Sequence, residues 1–346
     1  MRSTLGLGEQ VDLETTINQD KHVSFLSRIK FPFVPTLDGY LALSGYTRVP
    51  DRLTPLMSSS SNGVALTAKL NDRHSLEYRF DSRTNHNHNV FVSKKVIVAD
   101  IDNSETSDED KDVQASKLLP DSELWSEVSP HSINASLTHN YTVNALNSNT
   151  SPTSGAKLSL STSVSGLGNV GDVHLASSIL KTHIYVPIVK NVLTGSVHAT
   201  VGGAVPLGKD NAVSLNDRFR FERIRGYTTL GASHPETSEE YGGNVVGNAA
   251  VRLSAPVPIA FLRDQFGMRL HTFAQTGNVI NYDFKKEGND SKRLIEQFKS
   301  GLQTSYGAGF FFNLPIGRME FNWCKQYSPT AAASGSPKFE WKFFNE

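Results

Sequence analysis

Gly155-Ala156-Lys157-Leu158-Ser159-Leu160-Ser161-Thr162-Ser163-Val164-Ser165-Gly166 alternates apolar and polar side chains almost without a break. Ala156, Leu158, Leu160 and Val164 fall on one face, and Lys157, Ser159, Ser161, Ser163 and Ser165 on the other. A period of two belongs to a strand, whose successive side chains point to opposite faces. Two architectures produce it. In a soluble sandwich the serines face water and the leucines a core. In a membrane-spanning barrel the leucines face lipid and the serines line the lumen. Alternation alone leaves both open.

The same period recurs on either side. Val11, Leu13, Thr15 and Ile17 alternate with Asp12, Glu14 and Thr16, and a second segment, 22–31, follows a polar turn at Asn18-Gln19-Asp20-Lys21. Further segments cover 39–47, 63–70, 74–83, 90–99, 132–143, 172–186 and 193–205. After a long polar stretch, 206–243, come 244–255, 267–277, 302–314, 318–327 and 337–344. In the last, Phe339, Trp341 and Phe343 alternate with Lys338, Glu340 and Lys342. Only Ser291 to Ser300 has helical character, and it lies in a loop. Fifteen segments are visible, five of them beyond the polar stretch. Residues 100–121 are acidic and nearly free of apolar side chains, the composition of a mobile insertion that cannot bury enough surface to order itself.

Composition narrows the function. The chain has 346 residues, with 34 basic and 34 acidic side chains, so no net charge draws it to nucleic acid. A single cysteine, Cys324, excludes an internal disulfide framework. The start shows no apolar run of a secretory signal, and no stretch approaches the roughly 18 apolar residues of a spanning helix. That absence leaves a barrel open, because its strands are short and half polar. Gly166-Leu167-Gly168-Asn169-Val170-Gly171 matches a dinucleotide fingerprint by letter. A strand follows it, and without a helix N-terminus no pyrophosphate is received. It is a hairpin turn. His86 and His88 lie in a turn with no acidic or thiol partner nearby in sequence, so no metal is expected. No nucleophile elbow and no phosphate-cradling lysine loop is present. Neither an enzyme nor a cofactor is expected.

Inside the long stretch stands Phe221-Glu222-Arg223-Ile224-Arg225-Gly226-Tyr227. An Arg-Gly pair between large apolar residues places a cation where the backbone can fold back sharply. Ile224-Arg225-Gly226-Tyr227 resembles the arginine-glycine-aromatic signature of the sixth outer loop in outer-membrane assembly barrels, the BamA-type family of bacteria, mitochondria and plastids. Other features stand in a similar order: Gly6-Leu7-Gly8-Glu9, Ser151-Pro152-Thr153-Ser154-Gly155, Tyr241-Gly242-Gly243 and Pro256-Val257-Pro258. Phe273-Ala274-Gln275-Thr276-Gly277-Asn278 and Gly317-Arg318-Met319-Glu320-Phe321-Asn322-Trp323-Cys324 most resemble the mitochondrial branch, the core barrel of the sorting and assembly machinery.

The resemblance implies an all-β, transmembrane antiparallel barrel of about 16 strands, an even number as both termini on one side require. One strand would then be hidden between Thr84 and His131. The whole of 1–346 would be one barrel, with 206–243 folding into its lumen. Family members carry soluble amino-terminal POTRA modules, and here at most seven residues precede the first strand. Arg225 would be anchored by the neutral amide of Gln275, where bacterial relatives have an aspartate, and by Glu320. The first strand (Gly8, Val11, Leu13, Thr15, Ile17) and the last (Phe339, Trp341, Phe343) would meet in a weak seam. Lys338 and Pro337 are residues that blunt an edge. The implied function is an insertase in the mitochondrial outer membrane, with a plastid or bacterial outer membrane as the alternative. Its seam would open as a lateral gate and template unfolded β-barrel precursors by strand addition. The implied partners are the lipid bilayer, those precursors and accessory assembly subunits. A pore for polypeptides or solutes is the alternative function.

Overall fold

A computed structural model describes residues 9–17, 23–32, 39–54, 57–87, 129–149, 151–167, 170–190, 192–207, 213–220, 224–227, 242–284, 290–314, 317–327 and 338–344. Fourteen strands run in chain order: β1 (Gln10–Ile17), β2 (Val23–Pro32), β3 (Tyr40–Thr54), β4 (Met57–Lys69), β5 (His74–Asn87), β6 (His131–Asn144) and β7 (Gly155–Ser165). Then follow β8 (Leu175–Val189), β9 (Leu193–Pro206), β10 (Val245–Pro256), β11 (Arg269–Ile280), β12 (Gln303–Leu314), β13 (Gly317–Tyr327) and β14 (Lys338–Phe344). They form one sheet in the order β1 to β14, each strand antiparallel to the next. No ladder joins β1 to β14 among the described residues.

The count is fourteen among the described residues, against the sixteen expected. Segment 90–99 lies outside the described residues, as does the acidic stretch 100–121. β5 and β6 pair directly from His74↔Tyr141 to Thr84↔His131, so no strand from between them stands there in this sheet. The long loop joins β9 to β10 and is the fifth connection on its side in this count. Five strands follow it, as the pattern of the sequence requires.

Burial separates the two architectures that alternation left open. A sandwich buries its apolar face. Here the buried face is polar: Ser44, Asn134, Ser136, Ser196, His271, Gln275, Ser305, Glu320 and Asn322 are all buried. The exposed face is apolar, with Val201 at 61%, Val251 at 51% and Trp323 at 52% exposure. This inversion is what lipid outside and a polar lumen inside demand. β7 shows it in detail. Thr138 Oγ1 donates to Ser163 Oγ at 3.1 Å, and the Thr142 and Ser159 hydroxyls lie 3.4 Å apart. The β6 threonines and the β7 serines satisfy one another along the inner face. Outside, Val164 pairs with Leu137 and Leu160 with Tyr141.

Outer faces of the last strands carry an aromatic ladder. Phe310 stacks on Phe321 with ring centroids 5.0 Å apart, and Trp323 lies 5.2 Å from Phe339. The Gly166–Gly171 turn has φ of +81° and +89° at its two end glycines, and strand β8 follows it, not a helix. Helix α1 (Ala260–Phe266) was not foreseen, being only seven residues with no buried side chain. Helix α2 (Ser291–Ser300) occupies the expected place, capped by Asp290, whose side chain accepts from Lys292 N–H at 3.0 Å.

Val201 sits near the middle of β9 on the outer face. Val201→Lys should therefore cost about 2–4 kcal/mol of stability in urea unfolding from lipid vesicles, the depth-dependent cost of a lipid-facing charge. A loss within about 0.5 kcal/mol, ordinary for a water-facing site, would contradict the orientation of the sheet.

Candidate functional site

Ile224, Arg225, Gly226 and Tyr227 form a tight turn inside the sheet. Tyr227 N–H donates to the Ile224 carbonyl at 3.0 Å, and Gly226 has φ +85°, a value that a side chain disfavours at the third position of such a turn. A Cβ on Gly226 would also come 2.8 Å from Cys324 Cβ, so conformation and space both require glycine there. Ile224 is fully buried against Val246 and Val279, with Phe219 and Tyr227 packed around them. A second anchor holds the loop further upstream. A 3-10 turn at Leu215–Asp217 reaches β5, where Arg83 Nη1 donates to Asp217 at 2.8 Å and Asn216 donates to Asn85 at 3.0 Å. Val213 packs on Leu175 of β8 and Ala204 of β9. Among the described residues, these two apolar clusters are made between loop and wall.

The turn aims Arg225 at the inner faces of β11 and β13. Its Nε and Nη2 donate to Glu320 Oε2 at 3.1 and 2.8 Å, and its Nη1 donates to Gln275 Oε1 at 3.2 Å. The guanidinium also lies 5.0 Å from the centre of the Phe273 ring. The other carboxylate oxygen of Glu320 lies 3.2 Å from Arg252 Nη2 and 2.7 Å from Arg318 Nη2. Asn322 donates to Glu320 at 3.4 Å and is itself 2.8 Å from His271 Nε2. Arg318 stacks on Phe311 at 3.7 Å. A buried carboxylate costs several kcal/mol in desolvation, and only close, well-directed cations offset it.

Backbone and side-chain bonds tie the turn to three further places. Gly226 N–H donates to Glu340 Oε2 of β14 at 2.9 Å. Gln326 Nε2 of β13 donates to the Gly226 carbonyl. The Tyr227 hydroxyl lies 2.7 Å from the Tyr327 carbonyl of β13 and 3.1 Å from that of Thr304 on β12. One four-residue turn therefore straps β11, β12, β13 and β14 together.

The six residues singled out for the loop and its anchor, Ile224 to Tyr227 with Gln275 and Glu320, are brought into one constellation. Arg225 has an ionic partner as well as the neutral amide, the carboxylate making the shorter contact. On β1, Leu13 and Thr15 are exposed and Val11 half-buried; on β14, Phe339 and Trp341 are exposed. Ile17 and Phe343 are described by their backbone alone, and Gly8 lies outside the described residues. His86 Nε2 is 3.4 Å from Ser60 Oγ, and His88 lies outside the described residues. Arg252, Arg318 and Glu340 were not singled out. A signal existed: Arg252 sits between Val251 and Leu253 on the polar register, and Arg318 and Glu320 are two apart on one face.

These features define an outer-membrane barrel whose lumen receives its own arginine-bearing turn. The Omp85 superfamily domain matches residues 4–344, and the chain belongs to the Omp85 superfamily. The sorting and assembly machinery component 50 homolog of Homo sapiens is 30% identical over 206 residues, 57% of this chain and 42% of that protein. Homolog A of Xenopus laevis is 30% identical over 208 residues, with the same coverage of 57% and 42%. The chain spans less than half the length of these relatives. The crystal structure of BamA from Haemophilus ducreyi lacking POTRA domains 1–3 superposes with a TM-score of 0.71. It covers 98% of this chain and 65% of that one at 16% identity, a likeness of fold.

Removing either member of the central ion pair has unequal consequences. Arg225→Ala leaves Glu320 with Arg252 and Arg318, whereas Glu320→Ala leaves three guanidiniums facing one another. Glu320→Ala should cost about 3–5 kcal/mol in urea unfolding from detergent, and Arg225→Ala markedly less. Equal losses would show that the three arginines do not depend on this carboxylate.

Proposed function

We propose that this chain is the membrane-spanning part of an insertase that folds β-barrel precursors into an outer membrane. The names of the relatives that it resembles favour the mitochondrial outer membrane. The observation that carries the reading is the bond from Gly226 N–H to Glu340, because it connects the luminal turn to the last strand. β14 has a ladder on one side only among the described residues, seven residue pairs with β13. A strand edge without a ladder can take up an incoming strand by main-chain hydrogen bonds. β1 likewise pairs only with β2 among the described residues, and its inner face is polar, with Lys30 on Asp12 at 2.6 Å.

In this mechanism the turn holds β14 in place while the lumen is closed to through-traffic. A client strand adds to the free edge of β1 by main-chain hydrogen bonds, which are indifferent to sequence. The alternation of the client's side chains between lipid and lumen sets the register. No covalent bond is made or broken, so the chain acts as a template and not as an enzyme. Cofactors have no role in this scheme. Precursor proteins, lipid and accessory assembly subunits are its partners. A transport pore of the same architecture is less well supported, because the arginine turn and the 213–220 segment both stand inside the lumen.

Two measurements test the scheme. Arg225→Ala should leave a folded barrel that inserts a barrel client into reconstituted membranes at least several-fold more slowly, and an unchanged rate removes the turn from the mechanism. A disulfide between cysteines placed at Val11 and Trp341 should stop insertion when oxidised and restore it when reduced. Full insertion through the cross-linked barrel would rule out opening between the terminal strands.

A further inference from the structure

We propose that the luminal chamber beside the arginine turn is a binding site for a phosphate group. The chamber has a volume of about 390 Å³. Lys181 of β8, Arg252 of β10, Arg318 of β13 and two loop residues, Arg220 and Arg225, all line it, and Glu320 is the acidic residue among its described lining. Five cations from four separate elements thus face one space with one carboxylate between them among the described residues. Arg225, Arg252 and Arg318 already share that carboxylate. Arg220 donates to the Leu215 carbonyl at 3.3 Å. Lys181 has no hydrogen-bond or ion-pair partner among the described residues.

Register places the lysine on the same wall as the anchor: Lys181 pairs with Thr200 on β9, and Ala250 of β10 pairs with Gln275 of β11. The small side chains of Thr200 and Ala250 stand beside the larger Asn248 and His198 in the lining of the space. Such an excess of positive charge inside a wall that faces lipid is unfavourable unless an anion shares the space. The donor set selects the anion. Guanidiniums present planar forks that match the oxygens of phosphate, and lysine adds a point charge. The volume falls at the low end of ordinary ligand pockets, which suits a phosphate with its waters or a small phosphoester. A bound dianion would reduce the mutual repulsion of Arg225, Arg252 and Arg318, and so favour the state with the loop inside.

The test does not depend on insertase activity. The full chain, refolded in lipid-free, phosphate-free detergent, is unfolded by heat at increasing sodium phosphate, with ionic strength held constant by chloride. A ligand for the folded state raises the midpoint in a saturable way. Lys181→Gln, which leaves the Arg225–Glu320 pair intact, should weaken half-saturation about tenfold, the effect of losing one charged contact. Lys181→Arg should restore it. In a second arm the chain sits in phosphatidylcholine nanodiscs in phosphate-free buffer, with or without phosphatidic acid, and its midpoint is read in the same way. A Lys181-dependent rise in the first arm assigns a free phosphate, and one confined to the second assigns a lipid headgroup as the source of the same group. A response that does not saturate, or that is the same in wild type and Lys181→Gln in both arms, overturns the proposal.

Discussion

A carboxylate buried in the lumen wall needs cations around it, and Glu320 has three, drawn from β10, β13 and the long loop. The rest of the interior follows from that dependence. Arg225 can reach Glu320 only if the backbone turns sharply at Gly226, and the turn fits only because Cys324 beneath it meets a residue without a side chain. Once the turn is seated, its own amide and carbonyl are taken up by Glu340 and Gln326. Polar pairing thus fixes the position of the arginine turn. Apolar contacts complete the seating: Ile224 fills the gap between Val246 and Val279, and upstream Val213 packs on Leu175 and Ala204.

The wall around this centre obeys an inverted rule of burial. Its outer side chains are apolar because lipid solvates them. Its inner ones are polar because they must pair with one another, with water or with the loop. Closely spaced strands make room for aromatic side chains outside. Gly307 and Gly309 on β12 lie where a Cβ would approach the Trp323 and Phe321 carbonyls of β13. The ring stacking of Phe310, Phe321, Trp323 and Phe339 then covers the same strands on their lipid side. The loop and the aromatic ladder brace opposite faces of one region, β11 to β14.

Much of this could be read from the residues, for reasons that differ by element. β7 was legible because its eleven residues keep a period of two with one break, at Thr162, and the period alone fixes which side chains share a face. Which face meets lipid was not, since sandwich and barrel alternate alike; only the burial of Asn322 beside the exposure of Trp323 decides it. Ile224 to Tyr227 stood out as an apolar-bracketed Arg-Gly pair, and the resemblance supplied Gln275 and Glu320. Arg252 escaped because a single charge in a strand looks like any wet-face residue until register places it across from Phe273 and within reach of β13. Glu340 escaped for a related reason: its partner is a backbone amide, which leaves no mark in a sequence. Fourteen strands stand among the described residues, where β5 and β6 are neighbours, a pairing that no local pattern predicts; the expected segment 90–99 lies outside them.

Cys324 gives the turn a second meaning. It is the chain's one thiol, it is buried, and Gly226 lies directly over it. The shielding comes from a segment held by directional bonds and not by the sheet, so exposure of the sulfur tracks departure of the loop while the wall stays whole. The barrel therefore carries a native chemical reporter of its interior state. Alkylation of an unmodified chain can time the loop's excursions without any label being introduced.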